Sequence, residues 1–438
     1  MQHEFFSLAD ALTRELRTEE IFTCWFNGER SDFVRFNHAK VRQAGHVQQQ
    51  LLDLRLIRNG RQATSSLALN GGADDFSNAK NALAELRRVI DDLPPDPYLL
   101  FATDVQSSDV KRRATMPQPR SAIEQIIEHA NGRDLVGIYA AGPMFRGFAN
   151  SFGQRNWHEV ENFNFEWSLY HQADKAVKSS YAGFDWNLDE LKHRMQLATD
   201  QLTTLQRPAI SIAPGEYRAY LAPRAVEEII GMLAWGGFSA KARRTKQSPL
   251  IKMEQGVKLS DCVTLRENTA AGTAPAFQRD GFTRPAEVSM IDAGSLNEAL
   301  VAPRTAKEYG LVSNGANGSE SPESIELAGG RLALADALSA LDTGLYINNL
   351  WYLNFSDRPA CRLTGMTRFA TFWVEHGKIV APVNVMRFDD TIYRMLGENL
   401  IDLTREQDWM LDASTYGSRS TQSAKLPGAL ISGMKFTL

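Results

Sequence analysis

The chain has 438 residues, of which 43% are hydrophobic and 23% charged, with a formal net charge of -4. That length supports two or three domains with cores of their own, and the nearly balanced charge gives no sign of a polyanion partner. Cys24, Cys262 and Cys361 are too widely spaced for a disulfide framework or a Cys-x-x-Cys metal site, and no run approaches about 18 apolar residues, so a cytoplasmic protein with no membrane span is expected.

Ser7 to Glu20 carries Leu8, Leu12 and Leu16 and predicts an amphipathic helix with Ser7 as its cap. The period then changes to two, and Ile21 to Gly28, Asp32 to Asn37, His46 to Asn59 and Arg61 to Asn70 read as antiparallel strands, with Asn59-Gly60 as the strongest hairpin signal. Ala73 to Asp92 predicts a second helix, ended by Leu93-Pro94-Pro95. Lys111-Arg112-Arg113 reads as a solvated loop, and Ser121 with Glu124 is a capping-box pattern for a helix to about Ala130. Leu135 to Ala140 is a short buried strand, Phe145 to Tyr181 makes two or three more, and Leu188 to Leu205 is a long helix. Helices on an antiparallel sheet make residues 1–205 an α+β domain.

Residues 206–438 read as a β-rich second domain, barrel-like or sandwich-like. Ile210 to Ala213 and Tyr217 to Leu221 are strands, and Pro223 opens a helix whose apolar stripe is Ala225, Val226, Ile229, Ile230 and Leu233, closed by Gly236-Gly237. Gly231 interrupts that helix although glycine there costs about 1 kcal/mol against alanine, so a local reason for it is expected. Further helices are expected at Ser295 to Ala302 and Ala328 to Leu341, with Ser313 to Ser324 a polar loop. Leu345 to Phe355, Thr367 to His376 and Ile379 to Phe388 are aromatic, β-branched strands, and Pro382 marks an edge or bulge.

Three stretches together resemble the TldD/PmbA family, the modulators of DNA gyrase. They are Phe33 to Asn37 with Arg42 to Gly45, the helix after Pro223, and the run Thr343-Gly344-Leu345-Tyr346, Thr364 to Arg368, Trp373 to Ile379 and Pro382-Val383. In the TldD branch, zinc metalloproteases, the resemblance implies a helix bearing His-Glu-x-x-Gly-His, with both histidines on zinc and the glutamate activating water. This chain reads Glu227-Glu228-Ile229-Ile230-Gly231-Met232, keeping the glutamate and glycine without the histidines. The branch's third ligand, a cysteine near the carboxy terminus, has no counterpart after Cys361. The resemblance is therefore nearer the PmbA (TldE) branch.

Glu228 stands at the position of the family's catalytic glutamate, and Glu227 and Met232 are degenerate metal positions. A thioether is a poor zinc ligand, so no metal is expected in the isolated chain and zinc enters only through a TldD-like partner. On their own, Glu227 and Glu228 read more simply as a solvated or hydrogen-bonded pair near a helix start. His158-Glu159 fails the zincin pattern, because Asn162 and Phe163 stand where a second histidine belongs. Peptide binding by strand addition survives loss of metal, and Arg244, Thr364, Gly365, Thr367 and Arg368 are its candidates; the run holding Arg244 reads more readily as a solvated face.

The resulting expectation is a non-catalytic or regulatory subunit of a metallopeptidase-like family. It binds unfolded peptide and pairs with a zinc-bearing TldD-like protease, as a heterodimer or else as a homodimer, in proteolysis or peptide maturation, with no direct nucleic-acid contact. The alternatives are an active metallopeptidase with non-standard ligands and an interaction protein modulating DNA gyrase.

Overall fold

The computed structural model describes residues 1–172 and 175–437. Helix α1 (Gln2–Glu15) starts ahead of Ser7, because Phe5 joins Leu8, Ala9 and Leu12 in one buried stripe. Strand β1 (Ile21–Asn37) is one long strand where the sequence predicts two; Gly28 to Arg30 keep their pairing to β2 (Lys40–Arg58), so the ladder runs on through them, with its register shift only later, between Arg35 and Phe36. Asn59 and Gly60, at φ +49° and +71°, turn the chain into β3 (Arg61–Ala68) as that dipeptide predicts. Helix α2 (Asp74–Val89) follows.

Strand β4 (Ser108–Arg112) corrects the expected loop. It runs parallel to β6 (Arg155–Gln172), while Arg112 donates to the carbonyl of Ala271 at 2.6 Å with its guanidinium 3.2 Å from the centroid of the Phe184 ring. Helix α3 (Pro119–Ala130) starts on its proline, and the Ser121 hydroxyl is engaged by Gln125 rather than in a capping box. Strand β5 (Asp134–Asn150), β6 and β7 (Lys175–Gly183) lead to α4 (Leu188–Leu205), whose N-cap Asn187 accepts from the amides of Asp189 and Glu190. The seven strands form one sheet in the order β3-β2-β1-β5-β6-β4, with β7 also on β6, and every pairing but β4 with β6 is antiparallel. Helices α1 and α2 cover Phe22, Phe26 and Leu54, and α3 and α4 cover Val34, Tyr139 and Phe165.

The second half begins with β8 (Gly215–Leu221), α5 (Pro223–Ala234), α6 (Ala240–Arg244), α7 (Ile251–Glu254), β9 (Leu265–Asn268) and β10 (Glu287–Asp292). The helix expected at Ser295 to Ala302 is instead the short strand β11 (Ser295–Leu296), followed by α8 (Pro303–Tyr309), which starts where a proline can. After β12 (Ser324–Leu327), only α9 (Ala337–Leu341) and a 3-10 turn before it are helical in the second expected stretch. Gly329 and Gly330 lie so close to the backbone of Arg405 and Leu403 that a Cβ at either would collide, which a helix there could not accommodate. Ile210 makes only a single bridge, to Val383.

The remaining strands are β13 (Gly344–Asp357), β14 (Arg362–Glu375), β15 (Lys378–Pro382), β16 (Arg387–Thr391), β17 (Leu400–Leu411) and β18 (Ser423–Phe436). They belong to an eleven-stranded sheet in which β18, β16, β14, β13 and β8 follow one another and β8 pairs back onto β18, closing a barrel-like ring. The stripe Ala225, Val226, Ile229, Ile230 and Leu233 of α5 packs into the main core of this half with Leu345, Ile347 and Ala429. The two halves are tied by Arg194 of α4, bidentate on Asp408 of β17 at 2.7 and 3.2 Å, and by Asn164, which donates to the carbonyl of Leu411.

Candidate functional site

Helix α5 is an unbroken α-helix from Pro223 to Ala234, with its apolar stripe inward and Arg224, Glu227 and Glu228 outside it. Arg224 donates to Glu227 at 2.6 Å and to Glu166 of β6 at 2.5 Å, and Lys178 of β7 reaches the other oxygen of Glu166 at 3.1 Å. The helix is thus bolted to the first sheet by a line of alternating charges, Lys178, Glu166, Arg224 and Glu227. Burial opposes the charge on Arg224, but Glu227 and Glu166 outweigh it and hold the guanidinium above its ordinary range. Glu228 keeps access to solvent, yet the protein around it removes part of its water; that loss, with Glu227 beside it, raises its carboxyl above the usual range.

A zinc ion here would need imidazole, carboxylate or thiolate donors converging on one point. Glu227 already spends an oxygen on Arg224, and Met232, five residues on and about 140° around an ideal helix, packs against the apolar core. Among the described residues no three His, Cys, Asp or Glu side chains are grouped so that they could hold a metal ion. The donor set at α5 does not fit zinc. Gly231, expected to have a local reason, has none in packing: a Cβ there would meet nothing within 4 Å.

The peptide-binding candidates fall in two separate places. Arg244, exposed at the end of α6, lines an open recess with Arg243, Lys246, Glu254 and the exposed Val312. Thr364, Gly365, Thr367 and Arg368 lie in β14 inside the ring. Thr364 pairs with both Asn354 and Asp389, Gly365 with Phe388, and Thr367 with Leu350 while its hydroxyl accepts from the amide of Met386. Both edges of β14 are therefore occupied from Thr364 to Thr367, and no strand can be added there, while Arg368 pairs with Asn349 on one edge. Arg368 is the one side chain of the four that reaches outward to an aromatic face, its guanidinium 4.8 Å from the centroid of the half-exposed Trp351.

Sequence reasoning missed Glu166, Lys178 and Arg224. The signal present was a lone acid between Phe165 and Trp167 on an aromatic strand; its partner stands 58 positions away. His158 is buried with Nε2 3.0 Å from the carbonyl of Thr273, and burial pushes its pKa down to about 4, so it is a neutral core histidine.

The family model described as the PmbA/TldA metallopeptidase C-terminal domain matches residues 214–438. No curated protein matches the chain. Three solved structures share the fold over nearly its whole length. TldE from Thermococcus kodakarensis aligns with a TM-score of 0.79 at 15% identity, covering 99% of this chain and 100% of that one. A candidate modulator of a DNA gyrase from Thermotoga maritima gives 0.76 at 14% identity over 100% of both chains. A candidate modulator of DNA gyrase from Bacteroides thetaiotaomicron gives 0.76 at 15% identity over 99% of this chain and 98% of that one.

Proposed function

Since the chain belongs to the PmbA/TldA metallopeptidase family, we propose that it is the non-catalytic or regulatory member of a peptidase pair, binding unfolded peptide beside a zinc-bearing TldD-like partner. One observation carries this reading: where zinc ligands would stand, Glu227 is engaged by Arg224 and Met232 belongs to the core packing. The helix is kept as a structural bolt between the two sheets, so zinc enters only with the partner. The same reading divides the chain into residues 1–205 and 206–438 and keeps a homodimer as the other form of assembly.

Peptide contact is proposed at Arg244 and along Thr364, Gly365, Thr367 and Arg368. Because both edges of β14 are taken from Thr364 to Thr367, Gly365 has no side chain and Thr367 is buried, the grip there falls to Arg368 with the exposed Trp351 and Tyr352, which offer charge and apolar surface. Metal analysis and peptide hydrolysis by the purified chain, alone and co-expressed with a TldD-like protein, test the reading. Zinc and activity appearing only in the pair are expected; stoichiometric zinc and hydrolysis in the isolated chain would defeat it.

The raised carboxyl of Glu228 favours a second reading, an active metallopeptidase with unorthodox ligands and Glu228 as general base. Glu227→Gln and Glu228→Gln would then abolish activity, and activity that survives both removes this reading. A role on DNA gyrase rests only on the descriptions of the Thermotoga and Bacteroides proteins, and a gyrase pull-down that returns nothing would end it.

A further inference from the structure

Alternation along β1 and β2 sends Phe22, Phe26, Leu52 and Leu54 toward α1 and α2 and turns Thr23, Trp25, Asp53 and Arg55 to the opposite face. That face is roofed by segments around residues 275–284 and 317–323, and between floor and roof lies a cavity of about 500 Å3. Four guanidinium groups line it, Arg55, Arg146, Arg279 and Arg284, against three carboxylates, Asp53, Asp280 and Glu323, so four minus three leaves one positive charge in excess among the lining residues.

Pairing shows which charge that is. Arg55 bridges to Asp280 at 2.7 Å, Arg279 to Asp53 at 2.8 Å, and Arg284 to Glu323. Arg146 makes no ion pair among the described residues; the buried carboxylate of Glu29 acts on it only at longer range, and on the buried Arg419 as well. Arg146 is only 7% exposed, and its bonds go to the carbonyls of Phe145 at 2.9 Å and Arg419 at 3.4 Å. Burial pulls its pKa down to about 10, which still leaves it charged at neutral pH.

Two further donors at the cavity have no partner. One is Nη2 of Arg55, whose Nη1 and Nε are both engaged. The other is Nε2 of Gln278, a residue 4% exposed. Gln278 cannot escape by turning its amide over, because its Oε1 accepts from the amide of Asp280 and a flipped group would set donor against donor. A buried donor without an acceptor is expensive, and here two stand beside an unpaired buried cation. Such a surplus of donors matches a ligand that is all acceptor.

We infer that this cavity binds a small anion whose carboxylate or phosphate oxygens accept from Arg146, Arg55 Nη2 and Gln278 Nε2, with the ring of Trp25 as a flat apolar wall. The site lies in the first sheet, away from α5, and needs neither zinc nor peptide.

The test is calorimetric titration of the full chain with inorganic phosphate and, separately, with succinate, at ionic strength held constant with sodium chloride. Saturable one-to-one binding of at least one anion is expected, and which one binds identifies the oxygen-bearing group. Arg146→Met should weaken it at least tenfold, and Gln278→Leu should do so by several-fold with the charge count unchanged; near-ultraviolet circular dichroism checks that each variant is folded. If Arg146→Met does not fold, Gln278→Leu alone decides. Absence of saturable binding of both anions to the wild-type chain, or wild-type affinity in the folded variants, would overturn the inference.

Discussion

The charged line at α5 and the cavity over β1 and β2 are built from the same side chains and reach opposite ends. At α5, Lys178, Glu166, Arg224 and Glu227 alternate in sign, so every charge in the line has an opposite neighbour, and only Nε of Arg224 lacks an acceptor among the described residues. At the cavity, the last guanidinium bonds only to carbonyls, and one guanidinium nitrogen and one amide nitrogen have no acceptor among the described residues. Inheritance of a scaffold therefore does not say where its chemistry is. The helix that the family would make its centre is electrostatically closed, and a face of the other sheet is open.

The contrast is sharpest under substitution. Glu166→Ala strips the shared carboxylate from Lys178 and Arg224 and leaves two half-buried cations together, so we expect a loss of about 2–3 kcal/mol in the denaturant midpoint analysis. Arg146→Met, which removes a buried cation that makes no direct ion pair, should leave the ligand-free chain within about 1 kcal/mol of wild type, or above it. Equal losses in the two variants would break the comparison.

A buried carboxyl close to the cavity shows why a guanidinium is the harder case. Glu267 accepts from the amides of Glu323 and Ser324, and burial pushes its pKa up to about 7 from an ordinary 4.5. It can resolve its burial by taking a proton, whereas Arg146 stays charged throughout. Because the folded pKa is the higher one, the folded chain holds a proton there after the unfolded chain has released it. The contribution is thus present at low pH and lost as pH rises from about 4.5 through about 7. Urea midpoints across this range should show the wild type losing up to about 3 kcal/mol relative to Glu267→Gln as pH rises. A difference that does not change with pH would place the proton elsewhere.

How much of this was legible in the sequence depended on how local the cause was. Helix α4 matches its expected bounds because Leu191, Met195, Ala198, Leu202 and Leu205 repeat at helical spacing, and the Asn59-Gly60 hairpin is a property of two residues. The α+β character of the first half and the strand-rich second half follow from period alone. The continuity of β1 through Gly28 did not, since it depends on partners in two other strands. The helix expected at Ser295 to Ala302 failed for the same reason, because β10 takes the chain into the sheet. At the candidate site, the family resemblance pointed to Glu227, Glu228 and Met232. It could not find Glu166 or Lys178, which the fold brings from other strands, nor the cavity, whose walls come from four strands and three loop segments. Arg368 was singled out as a candidate from the stretch that carries the family resemblance, but that β14 is flanked on both sides belongs to the barrel's closure.

Gly231 gives the smallest and most pointed test of the difference between the two regions. Two ligands five residues apart on an ideal helix diverge by about 140°, so a metal-bearing helix has use for a glycine that lets a turn widen. Here α5 runs without a break, Gly231 is exposed, and the space a Cβ would enter is empty to 4 Å. Nothing in the fold therefore opposes alanine, which lowers the entropy of the unfolded chain and suits a helix interior. Gly231→Ala should raise stability by about 0.5–1 kcal/mol, read as an increase in melting temperature with no change in the spectrum of the folded chain. A fall in stability would mean that the turn at Gly231 still opens in solution, and with it that α5 is less closed than its alternating charges indicate.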